Sequence, residues 1–397
     1  MLTAHRIALD PNDCQATYFS KACGVARFAY NWALAEWKKQ YEEHKKDPEK
    51  PAPTEAALRR QLNSIKRDHF PWMLEVTKNA PQMSIMQLGK AFVNFFAGRA
   101  KYPQFRKKGI RDRFTLTNDQ FKINGSYIQI PNLGKVRMRE ALRFAGKILS
   151  ATISRVADRW FVSIAIDTPD LPKHIAEPKV VGVDVGLSTM ATLSTGEKIT
   201  GPKPHKALLR RLKQLSKALS RKVKGSSNRA KAKTKLQRLH ARISNIRLDA
   251  THKFTTKLVS QFRTICIEDL NVCKMVKNRR LARSIADVGF HEISRQLEYK
   301  LVRNGGSLVK ADRFFASSKI CSDCGYTLPV LELSVRQWTC SHCSSVHDRD
   351  VNAARNLENY AVSSTVKACG GSSSGRMDVP FGETALMKQE VNINVYL

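Results

Sequence analysis

Leu2 to Leu9 alternates apolar and polar residues like a strand, and Asp10-Pro11-Asn12-Asp13 breaks it. In the stretch FSKACGVARFAYNWALAEWKKQYEEH the spacing changes. Val25, Phe28, Ala29, Trp32 and Ala33 recur at helical intervals with basic residues between them. Pro51, Pro53 and Thr54 open a second predicted helix that runs through Arg67, and Pro81 opens a third, Gln82 to Phe96, closed near Gly98. Then period two returns. RFTLT, the FKI and SYIQI arms around Asn124-Gly125, KILSATISRV and RWFVSIAI all read as strands. Together with the N-terminal strand they predict a small β-barrel, with the helices at about 12–100 as an insert.

A new pattern starts at Pro178. KVVGVDVGLSTMATLSTGEKI predicts a strand, a turn and two hairpin strands. Leu208, Leu212, Leu215 and Leu219 form one apolar seam, and Leu236, Leu239, Ile243 and Ile246 form another. Gly225-Ser226-Ser227-Asn228 lies between the seams, so an antiparallel helical hairpin is expected. A strand at Thr264–Glu268, a basic linker, a helix at Phe290–Arg303 and a strand at Ser307–Ala311 follow. After a cysteine-rich module comes a last short helix from Val351. Beyond about Tyr360 the chain is Ser/Gly-rich and aperiodic and reads as a loose tail, 363–397.

Composition narrows the function. The 397 residues suffice for two or three domains, and 42% hydrophobic residues fit a globular chain. Lys and Arg number 68 against 34 Asp and Glu, a formal charge of +34. Self-repulsion of that size opposes compaction, so a polyanionic partner is the economical reading, and nucleic acid is the usual one. From Lys198 to Leu248 there are 17 basic residues and no acid. A solvated coiled hairpin usually mixes both signs, so this stretch, with Arg210, Arg211 and Lys213 on its first helix, reads as a phosphate-contacting surface. A membrane partner is disfavoured because no run of about 18 apolar residues could span a bilayer. The opening MLTAHRIALDPND has no secretory apolar core. A reduced, cytoplasmic setting is therefore expected, where cysteines bind metal instead of pairing.

Cys321-x2-Cys324-x15-Cys340-x2-Cys343 has the spacing of a four-thiolate zinc ribbon, two knuckles closing on one tetrahedral ion. Four thiolates leave no open position, so this one zinc is structural. Cys14, Cys23, Cys266, Cys273 and Cys369 are scattered and receive no metal role.

Three carboxylates stand out beside it. In VVGVDVGL, Val181, Val183 and Val185 point to one face, while Gly182, Asp184 and Gly186 share the other and leave space above the sheet. In TICIEDL, Glu268 lies opposite the buried isoleucines, and Asp269 marks the strand end. In HDRDVNAARN, Asp350 sits where the last helix begins, either as an ordinary N-cap or as a functional acid favoured in ionised form by the helix dipole. Asp348 is its local rival, as a partner for Arg349. A strand Asp with two hairpin strands, a strand ending in Glu and a helix-start Asp follow the order of the RNase H-like fold. There, carboxylates hold two divalent cations, and Mg²⁺ suits such hard ligands. The ribbon lies just before the last helix and could fix its start so that Asp350 meets Asp184 and Glu268.

GVDVGL, IEDLNV, SKICSDCG and HDRDVNAARN, in that order, resemble the TnpB family, insertion-sequence proteins related to the compact type V CRISPR nucleases. RFAYNWAL, YPQFRKKG, NIRLDATHK and a tail VKACG fit the same pattern, and the likeness spans residues 1 to about 360. It implies a multi-domain α+β chain. A barrel (wedge) domain would comprise 1–11 and 101–172, with a helical recognition insert at 12–100. A RuvC-like nuclease domain would comprise 173–317 and 347–362, with a zinc ribbon at 318–346. It also implies an RNA-guided DNA endonuclease of a transposable element, with a guide RNA copied from the element's end, one protein per RNA, and double-stranded target DNA cut beside a short motif. Matched by motif, the catalytic, Mg²⁺-binding residues would be Asp184, Glu268 and Asp350. Lys78 and Gln82 resemble the polar groups the family aims at the target-adjacent motif, although an ordinary solvated helix start would carry the same residues. Two other readings stay open on the residues alone. One is a structure-specific nuclease or transposase that uses the same acids without RNA, and the other is a non-cleaving DNA-binding regulator.

Overall fold

A computed structural model describes residues 1–169, 179–332 and 334–369. The chain divides into two compact units, Met1–Leu171 and Pro172–Leu397. The domain boundary expected at 172/173 and the tail from 370 onward lie outside the described residues.

In the first unit β1 (Leu2–Asp10) stops at Pro11, and Asn12 caps a 34-residue helix, α1 (Asp13–Lys46), through a capping box with Gln15. Thr54 caps α2 (Glu55–His69), and α3 follows (Asn79–Phe96), two residues earlier at its start than Pro81 suggests. The strands are β2 (Arg113–Thr117), β3 (Lys122–Asn124), β4 (Tyr127–Ile130), β5 (Gly134–Met138), β6 (Lys147–Val156) and β7 (Arg159–Asp167). Their order is β2-β6-β7-β1-β5-β4-β3, antiparallel throughout. β1 pairs with β7 along Leu2–Ala8 and passes to β5 at Leu9↔Met138, so it joins two halves of the ladder. Among the described residues the edge strands β2 and β3 do not pair, so the hydrogen-bonded closure expected of a barrel is not formed. Apolar side chains of the helices fill the core instead. Phe19, Ala22 and Leu88 are buried in one cluster with Ile7, Phe114, Ile153 and Ile164.

The second unit opens with β8 (Val180–Asp184), β9 (Ala191–Leu193) and β10 (Lys198–Ile199). Next come α4 (Pro204–Ala207), α5 (Leu209–Ser220) and α6 (Ser227–Gln261), and then β11 (Thr264–Glu268). The short helices α7 (Val272–Met275) and α8 (Ala282–Val288) lead to α9 (Phe290–Asn304) and β12 (Ser307–Ala311). A two-stranded ribbon, β13 (Gln337–Thr339) and β14 (Val346–Asp348), runs without a break into α10 (Arg349–Cys369). The main sheet has the order β10-β9-β8-β11-β12, with β8, β11 and β12 parallel and the hairpin strands antiparallel.

Both faces of this sheet are covered. Val181, Val183, Ile265 and Ile267 are buried with Phe254, Leu258, Ile293 and Leu297 of α6 and α9. On the other face Cys266 and Ala311 meet Leu357 and Ala361 of α10. This corrects the open space expected above Gly182. A Cβ on Gly182 would stand 1.8 Å from the Ala354 carbonyl oxygen and 2.5 Å from the Glu358 nitrogen, so α10 rests directly on the strand backbone. The last helix also runs on to Cys369, past the expected start of a loose tail at 363, because no breaker precedes Gly370-Gly371. Among the described residues no helix is long and apolar enough to cross a membrane.

Candidate nuclease site and metal centre

Val183 pairs with Ile267 between the parallel strands β8 and β11, which sets Asp184 and Glu268 side by side at their C-terminal ends. Loop chemistry gathers at that edge in open α/β sheets. Asp350 arrives in the first turn of α10, the helix seated on Gly182. The three acids, 166 residues apart at the extremes (350 − 184), therefore converge on one edge. Their electrostatic coupling is direct. Desolvation pushes the Asp184 carboxyl up to about 7, helped by repulsion from Glu268 and then Asp350, while Arg349 and Arg336 pull it back.

The two rival acids are otherwise engaged. Asp269 pairs with Arg313. Asp348 lies 2.7 Å from Lys198, not paired with Arg349 as expected, and its Oδ1 accepts from the Asp350 and Val351 nitrogens at 3.2 and 3.1 Å. Asp348 is thus the N-cap of α10, which frees Asp350 from that task. Asp350 Oδ1 is 3.4 Å from an exposed Arg336 guanidinium, and the Ser317 hydroxyl donates to Glu268 Oε1 at 2.5 Å.

The zinc-type spacing closes as a real cluster. Among the described residues, Cys321, Cys324, Cys340 and Cys343 are the group of ligand-type side chains tight enough to hold an ion, their sulfurs all within 4.8 Å of one another. Cys321 and Cys343 are 3.6 Å apart, and Cys324 and Cys340 3.7 Å. Four sulfurs about 2.3 Å from a tetrahedral zinc would be about 3.8 Å apart, so the donor set fits that metal. Hydrogen bonding from Ser345 holds the Cys343 thiol down to about 6, whereas the Cys321 and Cys324 thiols are pushed up, so the fit to a metal rests on the sulfur geometry. His347, buried against Trp338, places Nε2 3.0 Å from the Cys321 sulfur. The three carboxylates do not form such a closed group, but they offer the hard oxygen donors that suit Mg²⁺.

Several residues that tie the site together escaped the sequence reading. Asn352 accepts from the Ser322 nitrogen at 2.9 Å and donates to the Ile320 carbonyl at 2.7 Å. Asn356, one turn on, donates to the carbonyls of Ser317 and Ile320 at 2.7 and 2.6 Å. Both are buried, and they fasten the first knuckle to α10 beside the serine that holds Glu268. Arg349 secures the far side of the ribbon through the carbonyls of Glu332 and Val335. Two asparagines spaced i, i+4 inside a helix, where asparagine is a poor former, were the available signal.

The remaining expected residues lie elsewhere. Lys78 is exposed at the cap position of α3 in the first unit, and Gln82 is half-buried one turn later. Arg210, Arg211 and Lys213 are exposed on α5, a helix with no fully buried residue. Its seam is only half-buried against α6, and Arg229 of α6 ties the α5 end by donating to the Leu219 and Lys222 carbonyls, each at 2.9 Å.

Comparison with known proteins places the chain among relatives. Residues 163–279 match the IS605 OrfB family model, described as a probable transposase, and residues 290–357 match a Cas12f1-like TNB domain. Residues 1–46 match a model described as a helix-turn-helix domain, although here they form one strand and one long helix. A Streptomyces pristinaespiralis protein, provisionally named an RNA-guided DNA endonuclease, is 39% identical over 370 residues, 91% of this chain and 89% of its own. Escherichia coli InsQ, provisionally named in the same way, is 32% identical over 93% of this chain and 94% of its own. A cryo-EM structure of a Cas12f1–sgRNA–target DNA complex shares the fold, with a TM-score of 0.57 at 16% identity over 88% of this chain and 83% of that one.

Proposed function

Since the chain belongs to the TnpB (IS605 OrfB) family, we propose that it is an RNA-guided DNA endonuclease with a single RuvC-type site built from Asp184, Glu268 and Asp350. The observation that carries the reading is the convergence of these acids at one sheet edge, where desolvation raises Asp184 to about 7 and repulsion from Glu268 and then Asp350 adds to it. Bound there, two Mg²⁺ ions would stabilise both the attacking and leaving oxygens of a phosphodiester. Asp184 then has to give up its proton, which the Arg349 and Arg336 charges favour. Ser317 holds the Glu268 rotamer, and the Asp348 cap fixes the first turn that presents Asp350. The cysteine cluster serves as a structural zinc site.

The partners of this reading are a guide RNA from the element end and double-stranded target DNA, with one protein per RNA in the cytoplasm, associated with the nucleoid. Lys78 and Gln82 would read the target-adjacent motif, while Arg210, Arg211 and Lys213 would contact phosphates. Pairing between guide and target would read the sequence.

The test is cutting of a target plasmid with the element's RNA and Mg²⁺, with EDTA as the blank. Asp184→Asn, Glu268→Gln and Asp350→Asn should each abolish most cleavage while guided binding persists, and a second substitution should add little. Asp269→Asn and Asp348→Asn should keep far more activity. If the three single variants all cut normally, the nuclease reading fails.

A further inference from the structure

Between β12 and the first knuckle the chain makes a short turn, Asp312 to Ser317, along one side of the carboxylate site. Glu268, Asp269, Arg313, Ser317, Ser318 and Lys319 line a cleft of about 240 Å³ there. The turn is held at several points. Asp312 Oδ1 accepts from the Phe314 nitrogen at 2.8 Å, and the Asp312 carbonyl accepts from the Phe315 nitrogen at 3.0 Å. Phe315 packs its ring 5.0 Å from Tyr360 of α10, and Ser317 is tied to Glu268 and, through its carbonyl, to Asn356. On this fixed turn the neighbouring aromatic points outward. Phe314 is 90% exposed, the most exposed large apolar side chain among the described residues.

Scattered apolar residues on a surface are ordinary, but Phe314 differs in three respects. Its backbone is constrained on both sides, it adjoins the lining of the cleft that reaches Glu268, and cationic side chains flank the same cleft. An aromatic presented outward from a held turn near cations is the arrangement that takes a single nucleic-acid strand, the ring stacking on a base and the cations meeting phosphate. We propose that Phe314 is a stacking platform for one base of the single DNA strand being cut, with Lys319 of the cleft lining, whose ammonium also donates to the Pro329 carbonyl at 3.2 Å, meeting the phosphate and Arg313 orienting the turn through its pair with Asp269. The claim rests on the nuclease reading above and adds a subsite to it. Because every base has a π-face, the platform tolerates any sequence, as a guided enzyme requires. Its work is to hold the strand so that a phosphodiester lies at the carboxylates.

The experiment uses the full chain with its RNA and oligodeoxynucleotides carrying 5-iodo-deoxyuridine at successive positions, a probe that photocrosslinks to stacked aromatic rings. In the wild type one position should crosslink to the peptide containing Phe314. Phe314→Tyr should keep the crosslink and Phe314→Ala should lose it. In cleavage, Phe314→Ala should raise KM for the cut strand about 5- to 150-fold, the range for removing one base stack, with little change in kcat and an unaltered melting temperature. Phe314→Trp should restore KM. A wild type that crosslinks at Phe314 but cuts nothing would leave the subsite standing and sink the nuclease reading. The proposal is overturned if no position crosslinks at Phe314, if the crosslink forms with the bound RNA instead of DNA, or if Phe314→Ala matches the wild type in KM.

Discussion

Replacing Gly182 with alanine tests how α10 brings Asp350 to Asp184. The new Cβ would stand 1.8 Å from the Ala354 carbonyl oxygen and 2.5 Å from the Glu358 nitrogen, where ordinary contact begins at 3.4 Å. Both obstacles are helix backbone and cannot rotate away, so α10 must retreat by roughly 1.5 Å or β8 must bend. Overpacking of this kind typically costs about 1–3 kcal/mol, occasionally more. A value near the top of that range should lower the melting temperature of the second unit by about 6–12 °C, at 2–4 °C per kcal/mol. The functional loss should be larger than the stability loss, because a 1 Å misplacement of a catalytic group can cost about 10²-fold. Differential scanning fluorimetry and plasmid cleavage on the same preparation separate the two effects. Gly24→Ala, in α1 with only the Arg27 guanidinium near at 3.9 Å, is the control and should stabilise by up to about 1 kcal/mol. If Gly182→Ala melts within a degree or two of the wild type and cuts normally, α10 is not seated on β8 in the way described.

With divalent ions chelated, stability should fall as pH rises from about 4 to 7. The unfolded Asp184 ionises freely near 3.8 while the folded one resists until about 7, so the contribution is present at low pH and lost by neutrality, with an upper bound of roughly 4 kcal/mol. Urea melts should show this slope flattened in Asp184→Asn, and an unchanged slope would refute the coupling. Cys321→Ser should lose most of about one zinc per chain and loosen the start of α10, and X-ray absorption of the wild type should show four sulfur ligands instead of nitrogen or oxygen. Changing Arg210, Arg211 and Lys213 together to Glu should weaken nucleic-acid binding and reduce the slope of log K against log salt by up to about 3, near 0.9 for each phosphate no longer neutralised. The same slope in the variant would mean that α5 touches no phosphate.

What the sequence by itself determined was local. Two C-x2-C pairs fit a tetrahedral ion whatever surrounds them, and the four sulfurs do lie together. Alternation and β-branching placed β8 and β11, and helical periodicity placed the start of α9 at Phe290, because these signals need only a few neighbouring residues. An aspartate at the end of one strand and a glutamate at the end of another were legible for the same reason. The tertiary structure alone decided which acids brace the site from outside and which converge on Asp184. Asp269 and Asp348 look as able as Glu268 and Asp350 until Arg313 and Lys198, 44 and 150 residues away, engage them. It also decided what Gly182 is for, since the helix that needs its missing side chain begins at Arg349. Asn352 and Asn356 acquire a purpose only when the knuckle's carbonyls stand before them. Periodicity cannot report such pairings, because they join residues that are distant along the chain and become neighbours only when the core forms.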